Sequence, residues 1–224
     1  MKQNNYKKNF IKVLFFSLLL ILTSPIRAEL NVVTTIKPLH SLISNVMQGV
    51  GKPSLIIEGT TSPHSFTLKP SHAKLLQNAD VIFWIGEDME TFMEKPLESI
   101  TKDAEVISFM EVDSINKLKF REENIFDNHD DHDEENHDSH EGHAHGEFDT
   151  HIWLDPINAK EMIHEIAHEL SHLDPANKDK YNANAEATIL AIDELINNID
   201  QSINKEAQFV VFHDAYQYFE KRFD

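Results

Sequence analysis

Residues 80–85 read Asp-Val-Ile-Phe-Trp-Ile, with five apolar side chains in succession. A strand of that composition has no wet face, so it belongs in a parallel sheet covered by helices on both sides. The flanking segments keep the same rhythm. Residues 29–35 and 53–58 read as strands, and between them Pro38 opens a helical pattern through Leu39, Leu42, Ile43, Val46 and Met47 that stops at Gly49 and Gly51. Ser71 is placed to cap a short helix through Leu76, residues 87–100 are helical by pattern, and 104–109 form a further short strand. Strands alternating with helices at this pace predict βαβ units, hence an α/β fold with a mostly parallel sheet.

Beyond residue 150, Pro156 marks the start of a long helical region. Apolar positions Met162, Ile163, Ile166, Ala167 and Leu170, then Ile189, Leu190, Ile192, Leu195, Ile196 and Ile199, recur near helical period, and Pro175 after Asp174 breaks or kinks it. Residues 208–212 (QFVVF) read as a strand, and a helix is predicted from His213 onward. A strand arriving after so long a helical connection needs a sheet to join. The expectation is a two-lobed protein with parallel sheets and a long connecting helix, its second lobe mostly missing from this sequence. A single lobe whose last strand joins the first sheet is the alternative. The divisions are 29–156 for the first lobe, 157–204 for the connecting helical region and 205–224 for the start of the second lobe.

Residues 1–28 combine a basic start, an apolar run from Val13 to Leu22 too short to span a bilayer as a stable helix, and a polar tail ending at Ala28. That is the layout of a cleavable secretory signal peptide, which predicts a mature protein in the periplasm. With no cysteine, the chain has neither a disulfide framework nor a cysteine for lipid attachment. Cutting after Ala28 removes five cations and no acid, moving the formal net charge from −18 to −23, which makes nucleic acid an unsuitable partner.

Residues 127–149 hold six histidines, His129, His132, His137, His140, His143 and His145, and ten carboxylates, with no lysine or arginine. Imidazole suits zinc, copper and nickel, and in this mixture the simplest ion is zinc. Dense like charge and low hydrophobicity predict a mobile loop. Three other histidines stand apart: His64, His151 and His213 each lie just after, or at the entry to, a strand-like element. Ligands in open α/β sheets gather outside the carboxyl ends of strands, and three neutral imidazoles leave a fourth position on zinc for water or another side chain. Singly, each reads more readily as a satisfied structural histidine than as a ligand. A separate pattern at 164–168, His-Glu-Ile-Ala-His, fits the helical HExxH of zinc proteases and gives an alternative, enzymatic reading, with His172 one turn further on. His40 and His72 read as local surface or loop histidines.

The segments TTIKPLHSLI, SPHSFTLKPSHAKLLQNADVIFWIGEDMETFM, HIWLDP and FVVFHDAYQYFE occur in this order, with the His/Asp/Glu-rich run before the third. Together they resemble the ZnuA-like family, the periplasmic zinc-binding subunits of zinc ABC importers. The resemblance implies two α/β lobes joined by a long helix, zinc bound in the cleft between them by His64, His151 and His213, and delivery to a membrane permease and ATPase without covalent chemistry. It also implies that the acidic loop is an accessory zinc collector, and a monomer is expected. Manganese-binding relatives tend to carry a carboxylate at the third position, so His213 favours zinc. The pattern departs at Pro63, where some members have a glutamate ligand, and at the end, where the family continues well beyond the FHDAY motif.

Overall fold

The protein is described by a computed structural model covering residues 29–224 apart from 102, 122–145, 208 and 212. The apolar runs pair as β1 (Val32–Thr34), β2 (Ser54–Leu55), β3 (Val81–Trp84) and β4 (Glu105–Ser108), in an all-parallel sheet of order β2-β1-β3-β4. Val33 lies opposite Ser54 and Ile82, and Phe83 opposite Ile107. Every residue of β1 and β3 is buried, as a two-sided apolar run requires. The chain moves outward from β1 to β2 and then crosses back to β3. The sheet therefore has its topological switch point between β1 and β3, where a crevice opens at the carboxyl ends of the strands.

Helix α1 (Lys37–Val46) buries Leu39, Ile43 and Val46 along one stripe. The short helices α2 (Pro70–Gln77) and α3 (Glu94–Ile100) flank β3 in sequence. Asp155 caps α4 (Pro156–Leu173) by accepting from Ile157 N at 2.9 Å, and Pro156 opens it with a fixed φ and no wasted donor. A turn at Pro175–Asn177 sends α5 (Lys178–Ser202) back along α4, so the long helical region is a hairpin. The hairpin is tied to the sheet layer where Asn184 Nδ2 donates to Val46 O and Gln48 O at 2.8 and 2.9 Å, satisfying carbonyls at the end of α1. Helix α6 (Gln217–Phe223) closes the described chain and buries Tyr218 and Phe223. No described helix is long and apolar enough to cross a membrane.

Four local expectations are corrected. Helix α2 begins at Pro70 rather than after Ser71, because Lys69 is its N-cap and donates its N–H to His72 Nδ1 at 3.1 Å. Residues 87–89 are a turn and Glu90 is irregular, and α3 starts only at Glu94 after a 3₁₀ turn at Thr91–Met93. The cause is Glu90, whose carboxylate accepts from Gly86 N at 3.0 Å and folds the segment onto the end of β3. Residues 209–211 are not a strand, and Val210 is 99% exposed. An apolar β-prone run becomes a strand only where a sheet edge faces it, and among the described residues none meets this segment. The last helix accordingly begins at Gln217, not at His213. The acidic run also ends earlier than its composition suggests. Phe148 bridges antiparallel to Lys119, and Asp149 N donates to Leu118 O at 2.8 Å.

Candidate metal centre

His64 sits in a 3₁₀ turn, Pro63–Ser65, beyond β2. The Ser62 hydroxyl caps the turn by accepting from His64 N at 3.3 Å, and the imidazole is exposed. Pro63 fixes the backbone at the first position of this turn. A residue chosen for that geometry replaces any carboxylate there.

His151 is buried and held from below. Asp149 Oδ1 accepts from His151 N at 2.9 Å and from Nδ1 at 2.7 Å, so the carboxylate fixes the ring plane and keeps the proton on Nδ1. The Nε2 lone pair is then free to face the cleft, the arrangement that orients imidazole for a metal. By composition alone Asp149 is only one acid among ten. Its signal was the spacing Asp-x-His immediately before an apolar turn.

His213 arrives from the loop before α6, and its Nε2 lies 3.2 Å from His151 Nε2. Tetrahedral zinc with Zn–N distances near 2.0–2.1 Å sets neighbouring nitrogens about 3.3 Å apart, so this pair already spans one edge of such a site. His64 completes the group. Its ring centroid is 5.7 Å from His151 and 6.1 Å from His213, and one ligand atom from each of the three falls within 4.8 Å of the others. Burial and the neighbouring His151 push the His213 imidazole below its ordinary range, against Asp149 and Asp214. It is thereby neutral and able to donate a lone pair near pH 7.

The cluster lines an open cleft of about 1290 Å³, with Asp88, Thr91, Trp153 and Tyr216 among its walls. One wall is braced by α6. Tyr218 Oη accepts from Leu118 N at 2.9 Å and donates to Asp149 O at 2.6 Å, and burial pushes the phenol up to about 12, so it stays a donor. Arg222 grips Asp155 through two bonds of 2.8 and 2.7 Å. Arg121 pairs with Glu220 and approaches Asp214 at 3.6 Å. The other wall, residues 86–93, is held by Glu90. Its carboxylate accepts from Thr35 Oγ1 at 2.5 Å as well as from Gly86 N. Gly86 is needed beside it, since an added Cβ would meet Met110 at 3.1 Å. Burial raises Glu90 from 4.5 to about 7, outweighing those donors.

The remaining predicted residues lie elsewhere. His129, His132, His137, His140, His143 and His145, like residues 1–28, fall outside the described residues. His164, His168 and His172 face solvent along α4 and do not line the cleft. His40 Nε2 donates to Pro53 O at 3.2 Å, and His72 is engaged with Lys69. Among the described residues, His64, His151 and His213 are the one group of three or more histidines and carboxylates with a ligand atom apiece in reach of a common ion.

Fold and site together describe a doubly wound α/β lobe with three imidazoles converging at the carboxyl ends of its strands, a donor set suited to a borderline divalent ion. The family profile for ZnuA, the periplasmic component A of the zinc-uptake complex, matches residues 32–224, and the chain belongs to that family. It is similar to the high-affinity zinc uptake system protein ZnuA of Brucella abortus (strain 2308), 44% identical over 215 residues, which cover 86% of this chain and 64% of that protein. The protein of the same description from Yersinia pestis is 32% identical over 231 residues, covering 97% of this chain and 71% of that protein. Among solved structures, Zn(II)-bound AdcA from Streptococcus pneumoniae matches with a TM-score of 0.66 at 25% identity, over 85% of this chain and 37% of that one. A ZnuA crystal structure matches in fold with a TM-score of 0.68 at 24% identity, over 85% and 66%. The chain spans 64% of the length of the Brucella relatives.

Proposed function

We propose that this chain captures zinc outside the cytoplasm with His64, His151 and His213 and passes it to the permease and ATPase of an ABC importer. The observation that carries the reading is the 3.2 Å separation of the His151 and His213 Nε2 atoms, with His64 in reach of both. Zinc is favoured over harder ions because the set is all imidazole, and relatives named as zinc uptake proteins support the same cargo. Residues 1–28 would serve as the export signal, and the histidines of 127–145 would gather zinc weakly near the cleft.

The chemistry is binding and release, with no covalent step. Without an ion, two facing Nε2 atoms at hydrogen-bond distance share one proton. Zinc takes both Nε2 lone pairs, so the shared proton moves to the other ring nitrogen of His213, and capture weakens as pH falls because imidazolium has no lone pair to give. Asp149 keeps His151 in the receptive tautomer throughout.

The test is zinc competition against a chromophoric chelator for wild type and His64→Ala. Loss of a direct ligand should weaken the tight site by about 100-fold or more, beyond the 10- to 100-fold that outer partners are worth. Deleting 127–145 should remove only weak equivalents. Unchanged tight binding in His64→Ala would sink the assignment.

A further inference from the structure

The buried face of α4 explains its apolar stripe, whereas the opposite face carries a pattern that solvation does not explain. Glu161, His164, Glu165, His168, Glu169 and His172 form one stripe, in which glutamates repeat at i, i+4, i+8 and histidines do the same beside them. A helix face built for solubility sets Glu against Lys at that spacing, because like charges four residues apart weaken the helix. Here the stripe contains no lysine or arginine, and the nearby Lys160 is engaged with Asp193 at 2.7 Å.

A second observation comes from across the fold. The Glu169 side chain is only 12% exposed, yet its carboxyl lies against that of Glu105 on β4, within hydrogen-bonding reach. Its ion-pair contact is the His168 imidazole, Nε2 to Oε1 at 3.6 Å, and that imidazole is 74% exposed. A mostly enclosed Glu169 carboxyl beside a row of exposed imidazoles forms a donor set that gains from a cation.

We propose that the solvent face of α4 carries a second, weaker transition-metal site, in which His168 chelates a borderline divalent ion with His164 or His172, flanked by the Glu169 carboxylate. Histidines at i and i+4 stand about one helical turn apart, a span that two imidazoles close onto one ion by rotamer adjustment alone. Nitrogen with carboxylate oxygen is the donor mixture of zinc, copper and nickel. His168 belongs to both possible pairs, so the site depends on it most. None of these residues lines the cleft, so the site is independent of the one proposed above.

The experiment is histidine modification by diethyl pyrocarbonate on the full chain, read residue by residue by peptide mass spectrometry as Zn(II) is added. Modification of His151 and His213 reports the cleft separately from α4. Zinc beyond the first equivalent should lower the reactivity of His168 and of His164 or His172. In His168→Ala, whose exposed side chain has no packing role, protection of His164 and His172 should disappear while that of His151 persists. Glu169→Gln should shift α4 protection to about ten-fold higher zinc, the scale on which neighbours of a metal site act. Unchanged reactivity along α4 while His151 is protected would overturn the proposal, as would neighbour protection surviving in His168→Ala.

Discussion

Asp155 and Glu90 are both buried acids beneath the cleft, one under the His151 wall and the other under residues 86–93, and they are kept there by opposite means. Asp155 caps α4 and receives the two-pronged grip of Arg222, so it is buried as a charge with its partner. Glu90 receives a hydroxyl and backbone amides but no cation, and burial moves it to about 7. A paired charge gives a wall indifferent to pH over the neutral range. An unpaired carboxyl gives a wall whose support changes within it.

The largest expected effect follows from Glu90. The folded protein holds its proton up to about 7, whereas the unfolded chain releases it near 4.5. Between those values the unfolded state binds fewer protons, so this group's contribution to stability declines as pH rises and levels off above the folded value. The total change is on the order of 3 kcal/mol. Glu90→Gln has no proton to lose, and its amide can donate to Thr35 while its oxygen accepts from Gly86 N. Urea midpoints of zinc-free wild type and variant, compared from about pH 5 to about pH 8, should converge at high pH or cross in the variant's favour. Parallel curves would show that Glu90 stays ionised and remove the contrast with Asp155.

Arg222→Ala comes next. It strands the Asp155 carboxylate, which is 4% exposed, but Arg222 itself is 36% exposed and water can partly replace it. The cost should be about 2 kcal/mol, less than for a fully enclosed pair, and Arg222→Met, which keeps the stem without the charge, should cost nearly as much. Full stability in Arg222→Met would assign the effect to packing of the arginine stem instead.

Asp149→Asn turns the comparison from stability to binding. The amide can flip to present NH₂ to His151 and favour the wrong tautomer, so zinc affinity should fall about ten-fold with little change in the urea midpoint. An unaltered affinity would mean that the ring is oriented by Trp153, 5.4 Å away, rather than by the carboxylate.

What could be read ahead of the structure divides along the same line between local and distant causes. The runs of β1 and β3 and the Asp155-Pro156 start of α4 were legible because burial on two faces and capping leave their mark in consecutive residues. His64, His151 and His213 were legible only as positions near strand-like ends, since nothing local says that three loops converge. Residues 87–89 and 209–211 depart from their local pattern because a buried carboxyl overrides helical pattern in one and, among the described residues, no facing edge supports strand propensity in the other. Tyr218 and Arg222 left no signal, since their partners lie 100 and 67 residues away.

Tyr218→Phe should produce the smallest effect and decides how far the His151 wall acts as a unit. The phenol bonds to the backbone of Leu118 and Asp149, and the Asp149 side chain in turn holds the imidazole. Removing the hydroxyl leaves one buried amide without its acceptor and should cost about 1 kcal/mol of stability. The Phe148–Lys119 bridge and the Asp149 N to Leu118 O bond still anchor the segment, so zinc affinity should stay within about two-fold, below 0.5 kcal/mol. If affinity instead falls as far as in Asp149→Asn, α6 positions the ligand through the backbone, and the wall behaves as one rigid body rather than as a carboxylate acting alone.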